Sequence, residues 1–470
     1  MNIYKWIDSC DASVIMSVAC GKNFTLVATE NGDMYSFGSN SSCQLGVDLH
    51  GNLNTNAHLM SRESCFAGEE VVMVAASTLQ SAAVTKEGSL FTWGSGQGLG
   101  RSAGLGVPGR LGKEHFGNSH VVMVDCGLHN IIVLTASGRV WTCGHTDRQE
   151  PLQIDTHVFR SVDPGRFNGR KIVMVASGVR HKMAVDQDGM LWTWGENIYG
   201  EMCCDMEDEQ GLHGTRYPIA ISPAKFGGNK VVHVDGGTVY TMVVTEDGTL
   251  WGCGYGHTGA LGIPFPDEIR VPQRIGGSEM FGGHGVRMTS CGTCHTLILG
   301  TDNRMWACGH GYAGVLGLDD FTESSDLPVL VPNTPGFTNG AVMTVSVSES
   351  HSTAVMLDGS MYIWGRGLTT APMLVRPTGQ ADGWALWTPH QLNPNLFHGA
   401  CIGRWHTWLD THPDHAVAFA MGIHRRLGAD TPMANAPPEL VHRLLGESMR
   451  FEPEYGEGLL ALLGLHHRRV

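Results

Sequence analysis

Two stretches of the chain, Gly254-Tyr255-Gly256-His257-Thr258-Gly259 and Gly309-His310-Gly311-Tyr312-Ala313-Gly314, spell the G-x-G-x-x-G string that can cradle a dinucleotide. That chemistry needs the string between a strand and a helix, with an acidic residue about 20 positions on to hold the ribose. Both strings instead follow a tryptophan-bearing apolar run and recur at one place in a repeated pattern, which reads as a loop of that pattern. Cys291-Gly292-Thr293-Cys294 is a lone C-x-x-C, and structural zinc would need a second pair at matching spacing. Cys203-Cys204 is a loop pair poorly suited to share one metal. His406, His412 and His415, with Asp410 and Asp414, have metal-donor chemistry but read first as surface or core residues. No nucleophile elbow, P-loop or H-E-x-x-H string occurs. The expectation is therefore no catalytic, cofactor-binding or metal site.

What dominates the chain is repetition. A hairpin turn residue stands at Gly32, Gly88, Gly138, Gly189, Gly248, Asn303 and Gly359, at spacings of 56, 50, 51, 59, 55 and 56. Six residues after each comes a second glycine: Gly38, Gly94, Gly144, Gly195, Gly254, Gly309 and Gly365. Three before that glycine the residue is always aromatic: Tyr35, Phe91, Trp141, Trp192, Trp251, Trp306 or Tyr362. Phe37, Trp93, Cys143, Trp194, Cys253, Cys308 and Trp364 share its strand face, while Met34, Leu90, Val140, Leu191, Leu250, Met305 and Met361 occupy the other. A strand apolar on both faces is buried on both. Sheets stacked around a ring meet that demand, so a β-propeller is expected. Helical repeats of this period would need long amphipathic helices, which the β-branched and aromatic enrichment opposes.

An apolar strand, then G-x-x-H, an apolar strand, G-x-aromatic-x-W-G and G-x-L-G, resembles the regulator of chromosome condensation repeat. Gly292-Thr293-Cys294-His295 leading to Trp306, Gly309 and Gly314-Val315-Leu316-Gly317 carries it well, as does Gly178-Val179-Arg180-His181 leading to Trp192, Trp194 and Gly195. The resemblance covers residues 14–365 and implies an all-β, seven-bladed propeller. The histidine is replaced by Phe24, Gln80, Asn130 and Tyr240, and kept at His181, His295 and His351. Its equivalent placement suggests hydrogen bonding to neighbouring backbone. The G-x-L-G tail is clear at Gly46, Gly262 and Gly317 and lost after Gly144 and Gly365. A degenerate unit over 398–428, with Gly403-Arg404-Trp405-His406 and Ala416 to Gly422, reads as a closing clasp or an eighth blade. The domain expectation is a propeller over 1–428, with its regular repeats over 14–365, and a short α-helical tail over 429–470.

The resemblance also implies functions. The founding member is an exchange factor for the GTPase Ran and works through a β-hairpin wedge. Here the inter-unit segments, from closing glycine to the next histidine position, run 36 to 45 residues with no conspicuous wedge. A family member is a plant ultraviolet-B photoreceptor that depends on tryptophans in a G-W-R-H-T string. This chain has Lys22-Asn23, Val179-Arg180, Thr293-Cys294 and Arg404-Trp405 there, which argues against light sensing.

Net charge is −14, which disfavours direct nucleic-acid binding and favours basic protein partners such as chromatin proteins. No signal-like segment opens the chain and no run of 18 apolar residues could span a membrane, so a cytoplasmic or nuclear monomer is expected. Its 13 cysteines read as reduced, buried small hydrophobes. In the tail, Pro437-Pro438 leads into Glu439, Leu440, Leu444 and Leu445, which resembles the opening helix of an F-box, the docking module of ubiquitin-ligase receptors. The leading expectation is a non-catalytic scaffold for protein partners, using Asn40-Ser41-Ser42, Gln97-Gly98, Asn197-Tyr199, His257-Thr258 and Tyr312. An exchange factor and a ligase receptor are the alternatives.

Overall fold

The structure is a computed structural model that describes residues 15–47, 53–95, 98–101, 106–144, 157–205, 214–256, 258–264, 268–318, 324–334, 337–366 and 385–391. Among them are seven four-stranded antiparallel sheets, each built from one continuous stretch of chain. The first blade is Ile15–Gly21, Phe24–Thr29, Met34–Ser39 and Leu53–Met60, and the seventh ends on Ala385–Gln391. First strands of successive blades touch all the way round and form the inner wall. The expected seven-bladed ring is therefore present, and among the described residues helix is confined to single turns.

Each blade's second strand is buried along its whole length, from Phe24–Thr29 in the first to His351–Met356 in the seventh. The closing glycines follow from sterics. Gly195 has φ 113°, and a Cβ there would lie 2.4 Å from the carbonyl oxygen of Arg180, which leads into the second strand. The other six closing glycines would meet the equivalent carbonyl at 2.0–2.6 Å, so no side chain fits.

Two regular devices join the blades on the face that carries the hairpin turns. The first residue of each new blade donates its N–H to the turn carbonyl of the blade before, from Val71 to Gly32 through Val342 to Asn303, at 2.8–3.3 Å. Each connector also brings a phenylalanine edge-on to the aromatic of the following third strand. The pairs are Phe66–Phe91, Phe116–Trp141, Phe167–Trp192, Phe226–Trp251, Phe281–Trp306 and Phe337–Tyr362, with centroids 5.2–5.9 Å apart. Single 3-10 turns such as Pro223–Phe226, capped by the Ser222 hydroxyl, set that phenylalanine.

The ring closes between the seventh blade and the first. Cys20 donates its N–H to Ser346 Oγ at 3.1 Å, His351 Nε2 lies 2.9 Å from Thr25 Oγ1, and Lys22 pairs with Glu349 at 3.0 Å. These contacts need only residues 15–391. The degenerate unit at 398–428 and the tail at 429–470 lie outside the described residues.

Candidate functional site

Antiparallel order puts the loops after first and third strands on one face of the ring and the hairpin turns on the other. The loop face holds most of the residues singled out from sequence. Both G-x-G-x-x-G strings lie between a third and a fourth strand, with no dinucleotide-type helix after them. Cys291 ends a first strand and donates its N–H to Asp235 Oδ2 at 2.8 Å, while Cys294 sits half-buried in the next loop. Among the described residues no group of three or more His, Cys, Asp or Glu could hold a metal ion. The cluster at His406, His412 and His415 lies outside them.

The repeat histidines do not bond backbone as expected. His181 Nε2 lies 2.8 Å from Thr241 Oγ1, and His295 Nε2 lies 2.9 Å from Ser352 Oγ, each a hydroxyl on the next blade. Both hydroxyls stand on the second strand of the next blade, so each ring meets a side chain across the junction. Thr241 Oγ1 donates its one proton to the Glu201 carbonyl at 2.7 Å, and Ser352 Oγ donates to the Val315 carbonyl at 2.8 Å. Each hydroxyl must then accept from the histidine, which fixes the Nε2–H tautomer. Burial pushes His181 and His295 down to about 3 and His351 to about 4, so all three are neutral. Neutral, donor-committed rings are structural ties.

The carbonyls they reach through those hydroxyls belong to the loops after third strands. Gln44, Ala260 and Val315 serve as the acceptor for Ser81, Thr296 and Ser352 on the following blade, at 2.7–2.8 Å. Trp93 Nε1 and Trp364 Nε1 donate to Gln44 and Val315 at 2.9 and 2.8 Å. Within the loops, Asn40 Oδ1 receives the Leu45 N–H and Asn197 Oδ1 the Met202 N–H. Asn40 and Asn197, expected as partner contacts, are buried braces, because their short amides satisfy the loop backbone from inside. Gln97 and His257 lie outside the described residues, and Gly98 is buried.

The cysteine expectation also needs correction. Cys203 and Cys253 form a disulfide across the fourth and fifth blades, with Cα atoms 5.4 Å apart. In sequence Cys203-Cys204 reads only as a poor shared metal pair, whereas the fold gives Cys203 a partner 50 residues away on another repeat. On the inner wall, Asp125 accepts N–H groups from Cys126 and Ser177, and Asp235 from Gly236 and Cys291, at 2.7–2.9 Å. Ser290 and Ser346 do the same for Val347 and Cys20 at 3.1 Å. Burial raises Asp125 to about 6, and burial with the Asp125 charge raises Asp235 to about 8. Asp125, Asp235, Ser290 and Ser346 align at one first-strand position and each ties its blade's inner strand to the next, a role that sequence alone does not reveal.

On blades four to six the loop face carries exposed apolar groups. Ile198 is 40% exposed and Tyr312 62%. Tyr199 and Tyr255 rings lie 4.9 Å apart across a blade junction. Arg270 donates to the Ile198 carbonyl at 2.8 Å, and Arg180 pairs with Glu196 at 2.9 Å. This is an aromatic and arginine surface on loops pinned from beneath, the composition of a protein-contact patch.

Family models described as Regulator of chromosome condensation (RCC1) repeat match residues 15–44, 247–299 and 302–355, all within sheets of the seven-bladed ring. The chain carries regulator of chromosome condensation repeats, and these with the seven-bladed ring support that family. It is 27% identical over 340 residues to the ultraviolet-B receptor UVR8 of Arabidopsis thaliana, covering 67% of this chain and 70% of that one. Over 202 residues it is 32% identical to the human E3 ubiquitin-protein ligase HERC2, covering 42% of this chain and 4% of the ligase. Over 306 residues it is 27% identical to the secretion-regulating guanine nucleotide exchange factor of Bos taurus, covering 61% of this chain and 64% of that one. Among solved structures, Prp20p of Saccharomyces cerevisiae superposes with a TM-score of 0.63 at 19% identity, covering 82% of this chain and 87% of that one. The three relatives bear three different activities in their names, so likeness over the repeats does not choose among them. Among the described residues no helix is long and apolar enough to cross a membrane.

Proposed function

We propose that this family member is a non-catalytic scaffold that binds a protein partner through the loop face of blades four to six. The observation that carries the reading is exposed Ile198 and Tyr312 beside the half-buried pair Tyr199 and Tyr255, on loops whose carbonyls are tied to the neighbouring blades. Large apolar groups held rigidly lose little entropy on binding, which is what makes an effective contact patch. The net charge of −14 favours a partner with basic surface, and cytoplasm or nucleus is the compartment that goes with such partners. The test is proximity crosslinking and affinity capture with the full chain, an I198D/Y312A variant, and a control variant altered on the hairpin-turn face. The reading predicts that one set of partners disappears with the loop-face variant alone. Identical capture by all three would refute it.

A second reading is nucleotide exchange on a Ran-type GTPase, favoured by the likeness to the bovine exchange factor over most of the ring. It predicts accelerated release of labelled GDP from such a GTPase, lost with the loop-face variant. A chain ending at Asp430 tests the third reading. If Glu439, Leu440, Leu444 and Leu445 form an F-box-like docking helix, cullin adaptors are captured by the full chain and not by the shortened one.

A further inference from the structure

At three blade junctions the loop after a third strand presses a glycine against the third strand of the next blade. Gly46, Gly262 and Gly317 have φ of 72°, 67° and 70°, and a Cβ built on them would lie 2.7 Å from Trp93 Nε1, 3.3 Å from Cys308 Sγ and 2.8 Å from Trp364 Nε1. The left-handed backbone aims any side chain at the neighbour. At the junction of blades four and five the same loop position is Cys203, with φ 62°. Its equivalence is shown by the hydrogen bonds on either side: Met202 N–H to Asn197 matches Leu45 N–H to Asn40, and Thr241 to Glu201 matches Ser81 to Gln44. The facing residue, which is Trp93 or Trp364 elsewhere, is Cys253. Two coordinated changes thus replace a glycine–tryptophan contact by two sulfurs, where the Cβ that would collide elsewhere becomes the root of a bond. A cysteine in left-handed backbone bears a steric cost that the covalent link offsets. Cys308 serves as an internal control: it occupies the position of Cys253, faces Gly262, and is a free cysteine.

We propose that Cys203 and Cys253 are a reversible redox clasp that sets how firmly the loop at 197–205, with Ile198 and Tyr199, is held. Oxidation joins the two sulfurs with loss of two protons and two electrons, which a low-molecular-weight disulfide takes up as it becomes two thiols. One cysteine thiolate displaces the first small thiol to give a mixed disulfide, and the other cysteine displaces the second. Reduction by a dithiol runs the same exchange backwards. Both cysteines are fully buried, so exchange proceeds when the loop opens. Neighbouring Cys204 does not compete, because burial pushes its thiol to about 11. In the reduced protein the junction keeps only contacts such as Thr241 to Glu201, with the strained backbone of Cys203 uncompensated.

The experiment uses the full chain, treated with glutathione disulfide or with dithiothreitol, then alkylated and digested. The proposal predicts a Cys203–Cys253 linked peptide in the first sample and two alkylated cysteines in the second. Reduction should lower Tm by roughly 5 °C and raise amide exchange over 197–205. A C203G/C253W variant rebuilds the contact of the other junctions and should lose both responses to reductant. If it fails to fold, C253S carries the test and should behave as the reduced protein under both conditions. Free Cys203 and Cys253 after oxidant treatment would overturn the proposal. So would a linked pair whose reduction changes neither Tm nor exchange.

Discussion

Replacing His181 with phenylalanine isolates the inter-blade tie from the packing around it. The first blade already carries Phe24 at this position, so the ring volume is tolerated there, and the loss is confined to the bond from Nε2 to Thr241 Oγ1. At pH 7.5 that bond's absence should cost about 1 kcal/mol, since Thr241 still donates to Glu201. Acid reverses the balance. Folding lowers the His181 pKa from 6.5 to about 3, so between those values the unfolded chain binds a proton that the folded chain refuses. Wild-type stability therefore rises with pH through this window and levels off above 6.5. Working from the linkage relation, the wild type gives up about 2 kcal/mol at pH 5 relative to neutral pH, a loss the phenylalanine variant does not share. The two stability curves should cross near pH 6, with H181F less stable above and more stable below. Urea denaturation of both proteins at pH 5, 6 and 7.5 reads this directly. Equal destabilisation of the variant at pH 5 and 7.5 would show that His181 titrates alike in both states, and the buried neutral tie would be refuted.

Gly195→Ala should destabilise by roughly 2–4 kcal/mol, because its Cβ would lie 2.4 Å from the Arg180 carbonyl at φ 113°; a thermal-melt shift under a degree would contradict the steric account. Arg287, fully buried, donates to the Gly300, Val342 and Met343 carbonyls and so ties blade six to blade seven. Arg287→Leu should cost about 3 kcal/mol in chemical denaturation, and a neutral result would mean those carbonyls find other partners. Folding raises Asp235 toward 8, so its contribution to stability is present below about pH 4 and is lost as pH rises to 8. Asp235→Asn should flatten that part of the pH profile between 5 and 8.5, and an unchanged slope would place the titration elsewhere.

Much of the ring is legible in the sequence because each blade obeys local rules. Turn glycines, closing glycines and a doubly apolar third strand are demanded by backbone sterics and burial within about 25 consecutive residues, so they repeat visibly. Alignment of units also marks the histidine position and the acidic or hydroxyl residues Asp125, Asp235, Ser290 and Ser346, though not what they touch. The connector phenylalanines Phe66, Phe116, Phe167, Phe226, Phe281 and Phe337 were legible in principle, since most precede a glycine or an Asn-Gly, but no local rule says that they pack against an aromatic in the following blade.

The tertiary structure decided the contacts between blades. His181 meets Thr241 across 60 residues, Asp125 meets Ser177 across 52, and Cys203 meets Cys253 across 50. Periodicity states which positions are alike, and closure of the ring decides which unlike positions of neighbouring repeats face one another. That is why Asn40 and Asn197 look like loop-tip recognition residues in sequence and prove to be buried braces. It is also why Cys203 looks idle until the fifth blade brings Cys253 to the place where Trp93 and Trp364 stand at two other junctions.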